Sequence, residues 1–241
     1  MLLETHNLTM RFGGLVAVKS LDLQVGEDEL VGLIGPNGAG KTTVFNMISG
    51  YYAPTEGRVL FAEHDVTGWA PHRVTRLGLC RTFQLTRPFG HLTVRDNVIV
   101  GALCHEPNPK RARAVAEAAI AQVGLSNRAD AVAAGLPVGL RKKLELARAL
   151  ATRPKVLLLD EVMGGLSPVE VQEMLDTVQR IHDGGVSVVM IEHVMAAVMC
   201  LCERVIVIHH GEQIAQGTPA EIGRDRRVIE AYLGEAYLAQ Y

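Results

Sequence analysis

Short apolar runs alternate with helical patterns along most of the chain, which predicts an α/β fold built around a parallel sheet. The runs typical of fully buried strands are residues 30–34, 156–159, 186–191 and 204–208. Looser alternation over residues 3–25, broken by Gly13-Gly14, predicts antiparallel strands ahead of them. A further strand is expected at 58–61. Helices are expected at 71–78, 169–182, 219–223 and 225–233.

The middle of the chain departs from this alternation, because residues 93–151 look mostly helical. Thr93 is expected to cap a helix that runs through Val98, and apolar spacing predicts helices over 112–123 and 140–151. Pro107 and Pro109 are expected to break the helices between them. We therefore expect a single domain over 1–241, with a helical insert subdomain at 85–151 between core segments 1–84 and 152–241.

The first buried run leads into a glycine-rich loop that fits the phosphate-binding pattern G-x-x-x-x-G-K-[ST]. Its residues are Gly35, Pro36, Asn37, Gly38, Ala39, Gly40, Lys41, Thr42 and Thr43. A helix is expected to open over 44–48, so the loop has the strand–loop–helix context that the motif requires. The fold class that follows is α/β, a phosphate-loop NTPase core with a mostly parallel sheet, an N-terminal antiparallel β subdomain and the helical insert.

The chemistry of this loop follows from its residue types. Glycines let backbone N–H groups approach an anion closely, and the N-terminus of the following helix adds a favourable dipole. Lys41 supplies a positive charge for the β- and γ-phosphates, and the Thr42 hydroxyl is placed to coordinate Mg²⁺.

A second buried strand, residues 156–159, ends in the adjacent carboxylates Asp160 and Glu161. Ligands of open α/β sheets bind beyond the carboxyl ends of the strands. Asp160 is therefore expected to face the Mg²⁺ of a bound nucleotide, and Glu161 to orient or deprotonate water. His193 follows another buried strand and so can reach the same edge.

Charge and hydropathy give no indication that the chain binds nucleic acid or spans a membrane. The chain has 241 residues and a formal net charge of −2, which gives no indication of nucleic-acid binding. Its apolar runs fall well short of the roughly 20 residues that span a bilayer. The N-terminus lacks the pattern of a signal peptide, so we expect a soluble chain that reaches a membrane through a partner.

The order of the phosphate loop, Gln84, Asp160-Glu161 and His193 resembles that of the ATP-binding subunits of ABC transporters. The resemblance spans essentially the whole chain and is closer to the branched-chain amino acid importer type. The fragments that carry this closer resemblance are Arg11–Val18, Arg81–Gln84, Gly217–Ile222 and Ala231–Glu235.

The resemblance implies ATP and Mg²⁺ as the ligands. It implies that Phe12 stacks on adenine with Val18 beside it. Gln84 is implied to contact Mg²⁺ and the attacking water and to sense the permease, whose coupling helix would meet the loop that follows.

For the remaining residues of the site, Asp160 is implied as a second Mg²⁺ contact and Glu161 as the catalytic base. His193 is implied as the residue that contacts the γ-phosphate. Two ATPase subunits of this family face each other head to tail, so that the signature loop of one chain closes over the ATP of the other.

The signature loop departs from the usual Leu-Ser-Gly-Gly-Gln of the family. Leu136 and Gly139 are retained, but the loop reads Leu136-Pro137-Val138-Gly139-Leu140. Pro137 removes both a hydroxyl and a backbone N–H, so the site that this loop completes on a partner is expected to be weak.

The leading hypothesis is an ATP-hydrolysing subunit that energises an amino acid importer, most simply for branched-chain amino acids, from the cytoplasmic face of the inner membrane. Its expected partners are a second ATP-binding subunit, identical or different, two permease subunits and, indirectly, an external solute-binding protein. Two alternatives stay open. One is an ATP-gated dimerising module with little hydrolysis; the other is an ABC ATPase for another solute, such as urea or aromatic acids, or for export.

Overall fold

Two β-sheets organise the protein, which we describe from a computed structural model for residues 1–238, with side chains described as far as Tyr232. The smaller sheet is antiparallel, in the order β2-β1-β4-β5. Its strands are β1 (Leu3–Phe12), β2 (Leu15–Val25), β4 (Glu56–Phe61) and β5 (His64–Asp65). Gly13 has a φ of +58°, which suits the tight turn between β1 and β2.

The larger sheet has the order β10-β9-β3-β8-β7-β6. Its strands are β3 (Leu30–Ile34), β6 (Leu79–Arg81), β7 (Val156–Asp160), β8 (Ser187–Ile191), β9 (Arg204–His209) and β10 (Glu212–Gly217). All neighbours pair in parallel except β9 and β10, which form an antiparallel hairpin. The fold class expected from the sequence is therefore confirmed.

Helices cover both faces of the larger sheet. Helix α1 (Lys41–Ile48) packs between the two sheets, where Phe45 and Met47 are buried with Leu33 and Leu158. The opposite face of the sheet packs against α6 (Pro168–Asp183) and α7 (Met195–Leu201). The remaining helices outside the insert are α2 (Pro71–Leu77), α8 (Pro219–Ile222) and α9 (Arg226–Leu238).

The helical insert contains α3 (Val94–Ala102), α4 (Pro109–Gln122) and α5 (Val138–Leu150). Thr93 caps α3 through its side chain, as expected. The expectation for Pro109 was wrong: it occupies the first turn of α4, where its missing N–H would be unpaired in any case. These helices lie inside the predicted range 85–151, whose exact boundaries stay a prediction.

Several short elements were not predicted, namely β5, β6, β10 and α7. Strand β6 has only three residues, and its pairing with β7 rather than a sequence pattern makes it a strand. Within residues 1–238, no helix has the length and apolar character needed to cross a membrane.

Candidate ATP-binding site

Four parallel strands bring the predicted site residues to one edge of the larger sheet. Strands β3, β8, β7 and β6 are neighbours, so their carboxyl ends meet. The phosphate loop follows β3, and His193 follows β8. Asp160 ends β7, and the segment to Gln84 follows β6. Residues far apart in the sequence therefore share one site because of strand order.

The phosphate loop lies too close to neighbouring backbone to accept side chains at two of its glycines. A Cβ on Gly35 would lie 2.0 Å from the Ile208 carbonyl oxygen, and Gly35 has a φ of +155°. A Cβ on Gly40 would lie 2.5 Å from the Ala17 carbonyl oxygen, and Gly40 has a φ of +103°. The loop is thus held tightly against β2 and β9, which preorganises its amides.

The residues of the phosphate loop differ in solvent exposure. Pro36 and Ala39 are buried and Thr43 is half-buried, whereas Asn37, Gly38 and Thr42 are exposed at the rim. Helix α1 begins at Lys41, directly after the left-handed Gly40. The Lys41 ammonium donates to the carbonyl oxygens of Gly35 at 2.6 Å and Pro36 at 2.8 Å, so it lies folded over the loop.

Both carboxylate oxygens of Glu161 accept hydrogen bonds from the other two predicted catalytic residues. Gln84 Nε2 donates to Glu161 Oε2 at 2.5 Å, and His193 Nε2 donates to Glu161 Oε1 at 2.8 Å. Glu161 is a non-glycine residue with a φ of +50°, a conformation that costs about 1–3 kcal/mol. The structure thus brings Gln84, Glu161 and His193 into one hydrogen-bonded group.

Asp160 pairs with a cation that the sequence analysis did not single out. Arg81 donates to Asp160 Oδ2 at 2.6 Å and to Asn46 Oδ1 at 2.6 Å. The side chains of Arg81 and Asp160 are 5% and 2% exposed. Burial raises the pKa of Asp160, and the hydrogen bond from Arg81 opposes that effect.

The donor set near Asp160 fits Mg²⁺. Asp160 Oδ1 is buried and has no hydrogen-bond partner among the described residues, so a hard oxygen ligand is left over beside the phosphate loop. Thr42, Gln84 and Asp160 together offer hydroxyl, amide and carboxylate oxygens, which suit this ion. Mg²⁺ commonly uses one or two such groups together with substrate phosphates.

The two residues implied to contact adenine differ in solvent exposure. Phe12 is 45% exposed at the end of β1 and makes an edge-on contact with Tyr52, with ring centroids 5.6 Å apart. Val18 is fully buried against Gly40. Tyr52 is a second exposed aromatic at this rim that the sequence analysis missed, since its only signal was its position soon after α1.

The signature loop forms the N-terminal end of α5. Leu136 is buried and anchors the loop, whereas Pro137 and Val138 are exposed. Pro137 is the N-cap residue and supplies no side-chain cap. Gly139 packs so closely on α6 that an added Cβ would lie 2.4 Å from Glu170 Oε1.

Family models match two parts of the chain. The model described as ABC transporter matches residues 18–164. The model described as branched-chain amino acid ATP-binding cassette transporter matches residues 212–237, which include the two C-terminal fragments noted in the sequence.

Curated relatives match over nearly their full length. The chain is 39% identical to the high-affinity branched-chain amino acid transport ATP-binding protein LivG of Escherichia coli, over 98% of both chains. It is 38% identical to BraF, a protein with the same description from Pseudomonas aeruginosa, again over 98% of both chains. A probable LivG of Archaeoglobus fulgidus is 34% identical over 97% of this chain and 95% of that one.

Solved structures agree with the fold. A nucleotide-free ATP-binding cassette from an ABC transporter is 28% identical, with a TM-score of 0.87 over 96% of this chain and 98% of the other. An ATP-binding cassette in its ADP conformation is 29% identical, with a TM-score of 0.88 over 97% and 98%. The chain therefore belongs to the ATP-binding subunits of ABC transporters, and among them to the branched-chain amino acid importer type.

Proposed function

We propose that this chain hydrolyses ATP to drive a membrane importer for branched-chain amino acids, with Glu161 as the general base. The observation that carries the proposal is the pair of hydrogen bonds from Gln84 and His193 to the two carboxylate oxygens of Glu161. Glu161 follows β7, which only β8 separates from the strand that leads into the phosphate loop. A protein that only binds nucleotide has no use for a carboxylate positioned in this way. The substrate class is supported by the names of the relatives.

The position of each residue in the candidate site suggests its role in hydrolysis. The loop amides and Lys41 bind and orient the phosphates, once Lys41 turns from the Gly35 and Pro36 carbonyls towards them. Glu161 accepts a proton from the attacking water, and Gln84 and His193 hold its carboxylate in place. His193 also serves as the contact to the γ-phosphate.

Thr42, Gln84 and Asp160 would hold the magnesium ion. A bound Mg²⁺ supplies charge neutralisation at the phosphates and orients them. Arg81 keeps the Asp160 carboxylate in position through its hydrogen bond.

The protein works as one half of an ATPase dimer. Leu136 and Gly139 mark the loop that closes over the nucleotide of the second subunit, and Phe12 and Val18 mark the adenine end of this chain's own site. Two permease subunits hold the dimer at the cytoplasmic face of the membrane, and an external binding protein delivers the solute.

A second candidate function rests on Pro137. It offers neither a hydroxyl nor an N–H at the tip of the signature loop, and α5 has no side-chain cap there. An ATP-gated module that dimerises with little hydrolysis would tolerate this loss. A heterodimer with one strong and one weak site would tolerate it equally well.

The deciding experiment measures ATP hydrolysis by the purified chain over a range of protein concentrations, with Glu161→Gln as the inactive control. Turnover that rises with concentration and disappears in the control supports a homodimer that uses its altered loop. Turnover that appears only with a second ATPase subunit supports a heterodimer. ATP binding without turnover in both preparations contradicts the proposal and supports the gated module.

The solute is tested separately, in vesicles that contain the permease subunits, this chain and the solute-binding protein. We expect ATP-dependent uptake of leucine, isoleucine and valine. Uptake of urea or of an aromatic amino acid in preference to these would replace the proposed substrate.

A further inference from the structure

Helix α5 carries two buried charged side chains that the proposed mechanism does not use. Lys142 and Glu145 are 8% and 7% exposed, and they lie one turn apart on the helix whose N-terminus is the signature loop. Burying such groups is costly unless they make specific hydrogen bonds. Both side chains point towards the chain's own candidate ATP site.

Lys142 binds the backbone of the proposed base. Its ammonium donates to the Glu161 carbonyl oxygen at 2.8 Å. The Glu161 N–H donates to the Ile191 carbonyl oxygen at 2.9 Å, so the peptide groups on both sides of this residue are tied down. A strained φ of +50° persists only where its surroundings hold it, and Lys142 is part of that restraint.

Glu145 makes the equivalent contact to the segment that carries Gln84. Its Oε1 accepts the Phe83 N–H at 2.6 Å, one residue before Gln84. Its Oε2 is buried with no partner among the described residues, so this single bond is what orients the carboxylate. One helix thus holds the backbone beside both Glu161 and Gln84, which hydrogen-bond to each other.

We infer that Lys142 and Glu145 are positioning residues that link the signature loop of this chain to the water-orienting groups of its own ATP site. A shift of α5 when its N-terminus meets the partner's nucleotide moves the Glu161 and Phe83 backbones together. The two ATP sites of a dimer are thereby coupled through this helix. This inference rests on the proposed function, because it assumes that Glu161 acts on water.

The test variant is Lys142→Met, measured in the ATPase-active assembly. Small misplacements of catalytic groups cost up to about a hundredfold in rate, so we expect kcat to fall about ten- to a hundredfold while KM and the Kd of a fluorescent ATP analogue stay within about twofold. Lys142→Arg, which keeps the charge and the donor, is expected to restore most of the rate.

The matched control is Lys143→Met. Lys143 lies next to Lys142 on α5 but pairs with Glu173 on α6 at 2.6 Å, so its loss removes a cation and an anchor of the helix without touching Glu161. We expect its kcat to stay near that of the unmodified chain. Thermal unfolding of each variant separates loss of rate from loss of fold.

Lys142→Met could prevent folding, because Lys142 also interacts electrostatically with the buried Glu192. A second variant therefore tests the inference independently of this interaction. If Lys142→Met does not fold, Lys142→Met combined with Glu192→Gln removes both charges together and still lacks the donor to Glu161. It is expected to show the same loss of kcat.

A double-mutant comparison distinguishes positioning from a general structural effect. If Lys142 acts through Glu161, Lys142→Met lowers kcat by a smaller factor in a Glu161→Asp background, where the carboxylate is already displaced but some turnover is expected to remain, than in the unmodified chain. Additive losses, a kcat within twofold of the unmodified chain, or a matching rise in Kd would overturn the inference. Absence of turnover in the unmodified assembly would instead contradict the proposed function.

Discussion

Arg81 is a buried cation that compensates the charge of Asp160, the residue proposed to hold Mg²⁺. It bridges Asp160 at the end of β7 and Asn46 on α1, so one buried guanidinium joins the strand to the helix of the phosphate loop. Arg81 lies in the fragment Arg81–Gln84 that resembles the family, but nothing in its sequence context indicated a role for it. No residue pattern connects positions 79 residues apart; the parallel pairing of β6 and β7 does.

Arg81→Met is expected to destabilise the protein by about 3–5 kcal/mol, because it leaves the Asp160 carboxylate buried without its cation. Urea unfolding of the nucleotide-free protein measures this loss. Arg226→Met serves as the control, since Arg226 pairs with Glu230 on the surface and is 90% exposed. A loss for Arg81→Met no larger than that of the control would show that the buried pair adds no stability.

The carboxyl group of Glu192 makes the stability of the protein depend on pH. Burial raises its pKa from 4.5 to about 7, although it accepts the Met163 N–H and lies near Lys142. The folded state therefore holds this proton to higher pH than the unfolded state does. Ionisation of Glu192 lowers the free energy of unfolding as pH rises from about 4.5 to about 7.

Glu192→Gln is expected to be more stable than the unmodified chain at pH 8, by up to about 3 kcal/mol, since one pKa unit corresponds to about 1.4 kcal/mol. The difference should shrink towards pH 5, where Glu192 is protonated in the folded protein. Urea midpoints of both proteins at a series of pH values measure it. A difference that does not vary with pH would contradict this account; Glu161, His193 and Lys142 are unchanged in the comparison.

At the scale of elements, the crossing of α3 and α5 depends on a glycine. A Cβ on Gly101 would lie 2.3 Å from the Arg148 carbonyl oxygen, so the two helix backbones are nearly in contact. The sequence predicted a helix through Val98 from the Thr93 cap and a helix over 140–151 from apolar spacing, but neither signal could show that Gly101 faces α5. A glycine inside a helix normally costs stability, and here close packing is the reason for it.

Gly101→Ala is expected to destabilise the helical insert by about 1–3 kcal/mol through overpacking, even though alanine favours a helix by about 1 kcal/mol. Gly135→Ala is the control, because a Cβ there meets no atom within 4 Å. Denaturant unfolding compares the two. A stabilising effect of Gly101→Ala would mean that the helices can separate at no cost.

At the scale of the whole molecule, the tip of the signature loop is proposed to contact the nucleotide of a partner subunit. Pro137 lies exposed at the N-terminus of α5, where a serine would offer both a hydroxyl and an N–H. The loss is therefore expected to weaken the site that this loop completes on a second subunit.

Pro137→Ser is expected to tighten ATP-dependent dimerisation of this chain by at least about tenfold, because each recovered charge-assisted hydrogen bond contributes roughly 1.5–3 kcal/mol. Analytical ultracentrifugation in the Glu161→Gln background, where ATP is not consumed, measures the dimer Kd. Val138→Ser, at the neighbouring exposed position, is the comparison. Equal dimer Kd values for the unmodified chain and Pro137→Ser would remove the argument for a weak composite site.

Local pattern alone determined the phosphate loop, the buried strands and the fold class of this protein. Those features depend on residues close together in the sequence, such as Gly35 to Thr43, and on the periodicity of apolar positions. The sequence also predicted that Asp160, Glu161 and His193 lie at the carboxyl edge of the sheet, because each ends or follows a recognisable strand. Their roles stay predictions until activity is measured.

Only the tertiary structure decided which residues touch. Strand order placed Gln84 and His193 on opposite oxygens of Glu161 and Arg81 on Asp160. The packing of helix α5 placed the buried Lys142 on the Glu161 backbone. The short strands β6 and β10 exist because of their neighbours. Contacts between distant segments depend on how sheets and helices pack, and that information is spread over the whole core rather than held in any one stretch of sequence.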